Sequence, residues 1–388
     1  MLPFLAPYLT KIWGPFRLLE SYIVLICLGS TCAALLSWLL LPRLWHLLPR
    51  DQGKPFVKDS KEAKGKPTGA GSILVVIVTI ILALVLPPTW RHWSLVLCLF
   101  ACMMTGFLDD CSEKPWGEWK KGSLDMIISI VAAAILCAGK PMTIWLPFFK
   151  GQAAGGGFII SPWVYIPAAA ILLWFCINAV NCSDGVDGLA GSLSLLTLFS
   201  MGAFLYGIVG HTVIAKYLLL PHYADGARWA IILYVVCGGL AGYLWHNANP
   251  SAVLMGDAGS RFLGLLIGLS VLAAGNPFLV LAVAPILLAN GGGGLCKLLI
   301  LRILRIFGYD TRPPARNQLD PNPGANFASD AEAERQILPV RLAHSLRFPF
   351  HDHCRKNWGW SNTQVLVRFM LLQSMATPLL FLILVKLR

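Results

Sequence analysis

Five aspartates that could do chemistry lie in three polar clusters, each next to a long apolar run. They are Asp109 and Asp110, then Asp184 and Asp187, then Asp257. Adjacent carboxylates such as the first pair repel each other, so they usually need a cation, a lysine or open water. Ionisable groups between hydrophobic helices are costly and indicate a functional site by default. Glycines within the second cluster would let backbone N–H groups approach a ligand closely.

A fourth cluster, residues 349–360, places His351 and His353 on either side of Asp352. Side chains of these types at this spacing could bind a metal ion or phosphate groups. Taken alone, each cluster also has a structural explanation. The first would be a solvated helix end, the second a capped turn, the third a helix cap and the fourth a loop with no special chemistry.

Together, the four clusters favour magnesium and phosphate chemistry. Several carboxylates converging at one surface bind a hard cation, and oxygen ligands with little nitrogen or sulfur favour Mg²⁺ over Zn²⁺. A carboxylate–Mg²⁺ site neutralises charge on a diphosphate and positions it. The basic loops Lys54–Lys66 and Lys114–Lys121 fit an anionic substrate, or equally the headgroups of anionic lipids.

The elements that must position these clusters are membrane helices. Apolar residues make up 56% of the 388 positions and charged residues only 13%, where an ordinary soluble domain has about a quarter charged. The apolar runs are long enough to span a bilayer. We predict an all-α polytopic membrane protein, with residues 1–388 forming a single integral-membrane domain. The ten expected spans are residues 21–46, 70–87, 93–108, 124–139, 162–180, 188–209, 227–246, 260–274, 277–303 and 364–386.

The distribution of Lys and Arg predicts which side of the membrane carries the clusters. Basic residues concentrate in the loops after the odd-numbered spans, so the positive-inside rule places those loops, and all four clusters, in the cytoplasm. The same topology accounts for the net charge of +12. The charge is therefore not a sign of nucleic-acid binding. Residues 140–162 then form an external loop, with short β-type stretches that predict a hairpin.

Four motifs in this order resemble those of a known superfamily. The sequences GFLDD, NAVNCSDGVDGLAG, NANPSAVLMGDAGS and PFHDH followed by GW are similar to those of the polyprenyl-phosphate N-acetylhexosamine-1-phosphate transferases. Within that superfamily they most resemble the phospho-N-acetylmuramoyl-pentapeptide transferases. The resemblance covers roughly residues 20 to 388 and includes the count of ten spans.

The resemblance implies a function. Phospho-MurNAc-pentapeptide would pass from its UDP carrier to undecaprenyl phosphate in the bacterial inner membrane, giving lipid I and UMP for peptidoglycan synthesis. The implied cofactor is Mg²⁺ in a cytoplasmic cleft, the implied partners are the UDP-linked donor, undecaprenyl phosphate and membrane lipids, and a homodimer is as compatible as a monomer.

The resemblance also assigns residues to roles. Asp109 matches the proposed base on the lipid phosphate. The other implied catalytic residues are Asp110, Lys121, Asp184, Asp187, His351 and His353. The implied metal ligands are Asp257 and Asp184. The implied substrate-binding residues are Asn178, Asn181, Asn247, Leu254, Lys64 and Thr68.

The chain departs from the family pattern at several of these positions. Asp352 replaces the middle member of a triple histidine, and Leu254 stands where a Phe commonly stacks on uracil. The lysine that usually precedes the motif containing Thr68 is displaced, with Ala63 near its place and Lys61 or Lys64 beside it. The ninth span carries Asn290 and four glycines where a Glu-containing helix is expected.

Two other functions remain as alternatives. One is a sibling transferase that uses UDP-GlcNAc or a related UDP-sugar, because the phrase MGDAGS is also common in that branch. The other is a transporter or flippase. Transporters place ionisable groups near the bilayer centre and often consist of repeated halves, whereas the clusters here lie at span ends and no halves repeat.

Overall fold

The structure is a computed structural model that describes residues 1–51, 64–114, 116–147, 149, 151, 157–313, 328 and 335–386. The basic residues Lys54, Lys58 and Lys61 and most of the loop between residues 308 and 336 lie outside the described residues.

The described part of the chain is almost entirely helical. The helices of the first half are α1 Leu2–Thr10, α2 Tyr22–Leu44, α3 Ala70–Val85, α4 Trp90–Asp110, α5 Glu118–Cys137, α6 Pro162–Ser183 and α7 Leu189–Phe204. Those of the second half are α8 Thr212–Tyr217, α9 Gly226–Asn247, α10 Gly256–Ala273, α11 Leu279–Val283, α12 Pro285–Leu287, α13 Gly293–Ile306, α14 Leu338–Ser345, α15 Phe350–Asn357 and α16 Asn362–Lys386. Two π-helical segments, Leu205–Val209 and Leu288–Gly292, continue α7 and join α12 to α13.

This architecture confirms the prediction of an all-α polytopic membrane protein. Eight helices of the described residues are long and apolar enough to cross a membrane. Nine of the ten predicted spans each fall on one main helix, and the ninth span falls on several helical segments. The two spans outside those eight helices are α3, which has 16 residues, and α5, whose first turn carries Glu118, Lys120 and Lys121. The ninth predicted span is not continuous, because α11, α12 and the π segment Leu288–Gly292 precede α13.

The hairpin predicted for residues 140–162 is also present. Strand β1 (Met142–Ile144) pairs antiparallel with β2 (Phe158–Ile160). Trp145, which is fully buried, anchors the hairpin because its indole Nε1 donates a hydrogen bond of 2.8 Å to the carbonyl oxygen of Ala274. This contact joins the hairpin to the end of α10 that lies away from Asp257.

Glycines bring α10 into the centre of the bundle. A Cβ atom added to Gly71 of α3 would lie 2.1 Å from Cα of Gly259, and one added to Gly264 would lie 2.5 Å from Cα of Ile177 of α6. Small residues at such contacts let membrane helices pack backbone to backbone. Helix α10 therefore begins at a point where α3, α4 and α6 also end or begin.

Candidate active site

The start of α3 and the end of α4 both contact the amino terminus of α10. The segment before α3 pairs with the segment before α10: Leu254 N donates to Pro67 O (2.8 Å) and Ala70 N donates to Leu254 O (3.1 Å). The carboxyl end of α4 approaches from the other side, where a Cβ at Gly106 would lie 2.4 Å from the carbonyl oxygen of Asp257. Backbone contacts therefore fix the aspartates of the first and third clusters close together.

Asp110 caps the amino terminus of α10. Its Oδ1 accepts from the backbone N–H of Asp257 (3.0 Å) and its Oδ2 from that of Ala258 (3.1 Å). A carboxylate is favourable here, because it satisfies free N–H groups and faces the positive end of the helix dipole. Gly256 has φ +72°, and a Cβ at this position would lie 2.4 Å from Asp110 Oδ2. Only glycine fits this approach.

Lys121 lies between the two remaining carboxylates. Its ammonium group forms an ion pair with Asp109 and another, at 3.0 Å, with Oδ2 of Asp257. Asp109 is buried, and its Oδ1 also accepts from the backbone N–H of Trp116 (2.8 Å). The cation offsets the repulsion between two carboxylates held at the same place. The structure thus brings Asp109, Lys121 and Asp257 together, as the sequence predicted for the clusters.

Asn181 of α6 completes the surroundings of Asp257. Its Nδ2 donates to Asp257 Oδ1 (3.0 Å) and to Oγ of Ser260 (3.0 Å). Asn178, one turn earlier, donates instead to the carbonyl oxygen of Trp174 (2.8 Å). Both carboxylate oxygens of Asp257 therefore have fixed partners, one cationic and one neutral.

The side chains around Lys121 supply some of the oxygen ligands that a hard cation needs. Asp109 and Asp257 supply carboxylate oxygens on either side of the Lys121 ammonium, so this place already binds positive charge. Across the described residues, however, no three His, Cys, Asp or Glu side chains converge closely enough to hold a metal ion between them. Mg²⁺ commonly uses one or two protein carboxylates and completes its shell with water and substrate phosphates. The residues present are compatible with that mode of binding.

Asp187 and Asn247 fix the loop between α9 and α10. Asp187 accepts from Ser251 Oγ (2.8 Å) and N (3.1 Å) and from Asn249 Nδ2 (3.2 Å). Asn247 is buried, accepts from the N–H of Gly188 (2.8 Å) and donates to the carbonyl oxygen of Val253 (2.7 Å). These contacts give both residues a positioning role. Their predicted catalytic and substrate-binding roles stay predictions.

His351 is buried in a polar environment provided by the ninth span. Its backbone N and its ring Nδ1 lie 2.8 and 3.1 Å from Oδ1 of Asn290. On the other side of the ring, a Cβ at Gly185 would lie 2.5 Å from Nε2. Burial lowers the pKa of His351 to about 4, so the imidazole is neutral near pH 7. The fourth cluster therefore contacts the second, whose Asp184 is exposed at the end of α6.

His353 points to a different environment. Its ring stacks on Phe350 (centroids 5.8 Å apart, planes at 8°) and meets Trp358 edge to face. Its Nδ1 accepts from the backbone N–H of Arg347 (3.3 Å). Asp352, the departure from the family pattern, forms an ion pair with Lys356 (3.2 Å). The structure does not bring His353 to the carboxylates in any described contact, and its catalytic role stays a prediction.

The remaining predicted substrate-binding residues lie beside the segment that pairs with Leu254. Lys64 is exposed, and the backbone N–H of Thr68 donates to the carbonyl oxygen of Pro49 (2.9 Å). The side chain of Leu254 is half-buried.

Sequence reasoning missed the buried polar partners of the site. Arg261 of α10 pairs with Asp125 of α5 (3.1 Å) and donates to Thr105 (3.3 Å). The signal for this pair was present, because each charge lies inside an apolar helix where ionisable groups are rare. Asn290 was noted as a departure from the family pattern, but its contact with His351 was not foreseen.

The chain is similar in sequence to known transferases. A model of the glycosyl transferase family 4 matches residues 92–275. The phospho-N-acetylmuramoyl-pentapeptide-transferase of Treponema pallidum (strain Nichols) is 40% identical over 98% of this chain and 95% of its own length. The enzymes of the same name from Chlorobium phaeovibrioides and Helicobacter acinonychis are 30% identical over 70% of the chain (77% of that protein) and 28% identical over 93% of the chain (94% of that protein). The chain therefore belongs to the phospho-N-acetylmuramoyl-pentapeptide-transferase family.

Proposed function

We propose that this protein transfers phospho-MurNAc-pentapeptide from UDP-MurNAc-pentapeptide to undecaprenyl phosphate, forming lipid I and releasing UMP. In the net reaction, a phosphate oxygen of the lipid gains a bond to the sugar-linked phosphorus of the donor, and the diphosphate bond to UMP breaks. The observation that carries the proposal is the placement of Lys121 between Asp109 and Asp257 in a chain that is 40% identical to a transferase of this name.

Asp109, Lys121 and Asp110 have complementary roles in this proposal. Asp109 is the base that takes the proton from the lipid phosphate. It lies at the end of α4, with one oxygen on Lys121 and the other on a backbone N–H. Lys121 offsets the negative charge that accumulates when two phosphate groups approach two carboxylates. Asp110 acts through α10, since both its oxygens hold the backbone that carries Asp257.

Mg²⁺ is part of the proposal as the cofactor, with Asp257 as a ligand. The metal would supply charge neutralisation and orientation of the donor diphosphate. Asn181 would hold the Asp257 carboxylate in a fixed orientation, because it donates to Oδ1 and leaves Oδ2 facing Lys121. Asp184, the other predicted ligand, is exposed at the end of the same helix.

The proposal places this site on the cytoplasmic face of the bacterial inner membrane. Labelling of single cysteines by a membrane-impermeant maleimide tests the orientation, after the exposed cysteines Cys27, Cys111 and Cys296 are replaced by serine. Glu113→Cys, at the site end of α4 and α5, should react only from the cytoplasm. Lys140→Cys, at the opposite end of α5, should react only from outside. Reaction of both from one side would contradict the topology.

A donor screen tests the activity. Purified protein is incubated with undecaprenyl phosphate, Mg²⁺ and either UDP-MurNAc-pentapeptide or UDP-GlcNAc, and UMP release is measured. We expect UMP release with the first donor, its loss in EDTA and its return on adding Mg²⁺. Release with UDP-GlcNAc alone would assign the chain to the sibling activity, and release that is indifferent to EDTA would remove Mg²⁺ from the proposal.

A further inference from the structure

A polar side chain is fully buried in the middle of the ninth span. Asn290 has no exposed surface and lies in the π segment Leu288–Gly292. The segment packs tightly against α6, since a Cβ at Gly291 would lie 1.9 Å from the carbonyl oxygen of Ala179. Burying an amide is costly unless it is hydrogen-bonded, and π segments occur frequently at functional sites. The contact that the amide makes therefore needs a physical explanation.

The contact with His351 has only one consistent protonation pattern. The backbone N–H of His351 can only donate, so the atom of Asn290 that lies 2.8 Å from it must be the amide oxygen. The same oxygen lies 3.1 Å from Nδ1 of the imidazole. Because an amide oxygen can only accept, Nδ1 must carry a proton. In a neutral ring, Nε2 then has no proton and presents a lone pair.

The free lone pair faces the second aspartate cluster. A Cβ at Gly185 would lie 2.5 Å from Nε2, so the ring edge rests against the turn that follows α6. That helix also carries Asn181, which contacts Asp257. The amide nitrogen of Asn290, by contrast, has no hydrogen-bond partner in the described part of the chain. The oxygen is thus the half of the amide that makes specific contacts.

We propose that Asn290 is a positioning residue that holds His351 in the tautomer with Nδ1 protonated, so that Nε2 accepts a hydrogen bond from a hydroxyl group of the sugar-nucleotide donor. The part that concerns the donor rests on the proposed function. The low pKa of His351 agrees with a neutral ring. A second buried asparagine provides a matched control. Asn276 has no exposed surface, its Oδ1 accepts from the N–H of Phe278 (2.8 Å), and its Nδ2 also has no described partner.

The tautomer can be observed directly without substrate. Protein labelled with ¹⁵N-histidine is reconstituted in nanodiscs at pH 7.5, and long-range ¹H–¹⁵N spectra distinguish the two neutral tautomers; the signal of His351 is assigned by its loss in His351→Gln. We expect the Nδ1-protonated form in the native protein and in Asn290→Asp, which keeps an oxygen acceptor. Asn290→Leu should convert His351 to the other tautomer or a mixture, and Asn276→Leu should not change it.

Native protein with a proton on Nε2 would overturn the proposal, and so would an unchanged tautomer in Asn290→Leu. The measurement on the native protein decides the point even where a variant does not fold. With UDP-MurNAc-pentapeptide as donor, we expect KM for the donor to rise about tenfold in Asn290→Leu with a smaller change in kcat, since the lost contact is a hydrogen bond to the bound donor. We expect partial recovery in Asn290→Asp and no change in Asn276→Leu. Equal activity of Asn290→Leu and native protein would refute the positioning role. Absence of turnover in the native protein would instead refute the proposed function and leave the tautomer result standing.

Discussion

Arg261 donates a hydrogen bond of 3.1 Å to Asp125 one helical turn below the contact between Lys121 and Asp257. Lys121 and Asp125 are four residues apart on α5, and Asp257 and Arg261 are four residues apart on α10. The two helices are therefore joined by two ion pairs one turn apart. The cation is on α5 in the first pair and on α10 in the second. The lower pair is almost completely buried, with side-chain exposures of 2% and 1%. This arrangement ties the register of α5 to that of α10.

Breaking the lower pair should destabilise the protein strongly. Asp125→Asn leaves a buried guanidinium without its counter-charge, which typically costs about 3–5 kcal/mol in the free energy of unfolding. Replacing both partners by Asp125→Leu with Arg261→Met should recover most of that loss. Thermal unfolding in detergent measures the difference. The matched control is Asp225→Asn, which removes the partner of the more exposed Arg228 and should cost no more than about 1 kcal/mol. Equal losses in the two single variants would contradict a structural role for the buried pair.

Removing the central cation should lower turnover. Lys121→Met leaves the carboxylates of Asp109 and Asp257 to repel each other, and we expect kcat to fall by about 10²–10³-fold, as on loss of one electrostatic stabiliser. Lys120→Met is the control, because the neighbouring Lys120 extends over the ring of Trp116 (3.4 Å to the centroid) and not toward the carboxylates. UMP release measures both. Similar losses in the two variants would show that only general basicity of this loop matters.

Substitutions of Asp110 and Asp257, which lie close together at the start of α10, should have different effects on stability and on turnover. Asp110→Ala removes the cap of α10 and should lower the free energy of unfolding by about 0.5–2 kcal/mol. Asp257→Asn keeps the side-chain volume and should leave folding nearly unchanged while UMP release almost disappears, because a Mg²⁺ ligand is lost. Parallel measurement of unfolding and turnover tests both statements. A well-folded Asp257→Asn protein with near-normal activity would remove Asp257 from the metal site.

An aromatic side chain at Leu254 should strengthen nucleotide binding. The backbone of this residue is held by Pro67 and Ala70, and its side chain is half-buried beside the site. Leu254→Phe would add a π face for uracil, and stacking of a base on an aromatic ring is worth about 1–3 kcal/mol in nucleic-acid complexes. We expect UMP to bind about tenfold more tightly, since about 1.4 kcal/mol is a factor of ten.

Calorimetric titration of UMP against the native protein and Leu254→Phe decides this prediction. The alternative is that Leu254 packs between helices, in which case the larger ring would destabilise the fold by about 1–3 kcal/mol. Unchanged or weaker UMP binding by a stable variant would defeat the prediction.

The membrane helices could be predicted from sequence because the bilayer imposes their length and hydropathy. The predicted spans fall on helices, the ninth on several helical segments. The hairpin strands Met142–Ile144 and Phe158–Ile160 lie where β-type residues occur between two apolar runs. The break in the ninth span could not be located by hydropathy alone. The break falls at Ala284, directly before Pro285, and a residue before proline is disfavoured in the α conformation.

The site was predictable as a set of residue types but not as a set of contacts. The motifs that contain Asp109, Lys121 and Asp257 were recognised, and these residues do lie together. Their separate functions could not be read from the chain. That Asp110 caps a helix while Asp109 pairs with a cation depends on the direction in which α4 ends, and adjacent residues in a helix point about 100° apart.

The glycine contacts at the start of α10 have a consequence for how the enzyme can adapt. At Gly71 against Gly259, and at Gly106 against the backbone of Asp257, peptide groups touch with no layer of side chains between them. Rotamer changes can widen or narrow an ordinary pocket, but they cannot alter a gap set by the main chain. The main-chain positions that carry the carboxylates therefore change only when whole helices move. A variant that accommodates a different donor would consequently change side chains or loops around the site, because the main chain at its centre is closely packed.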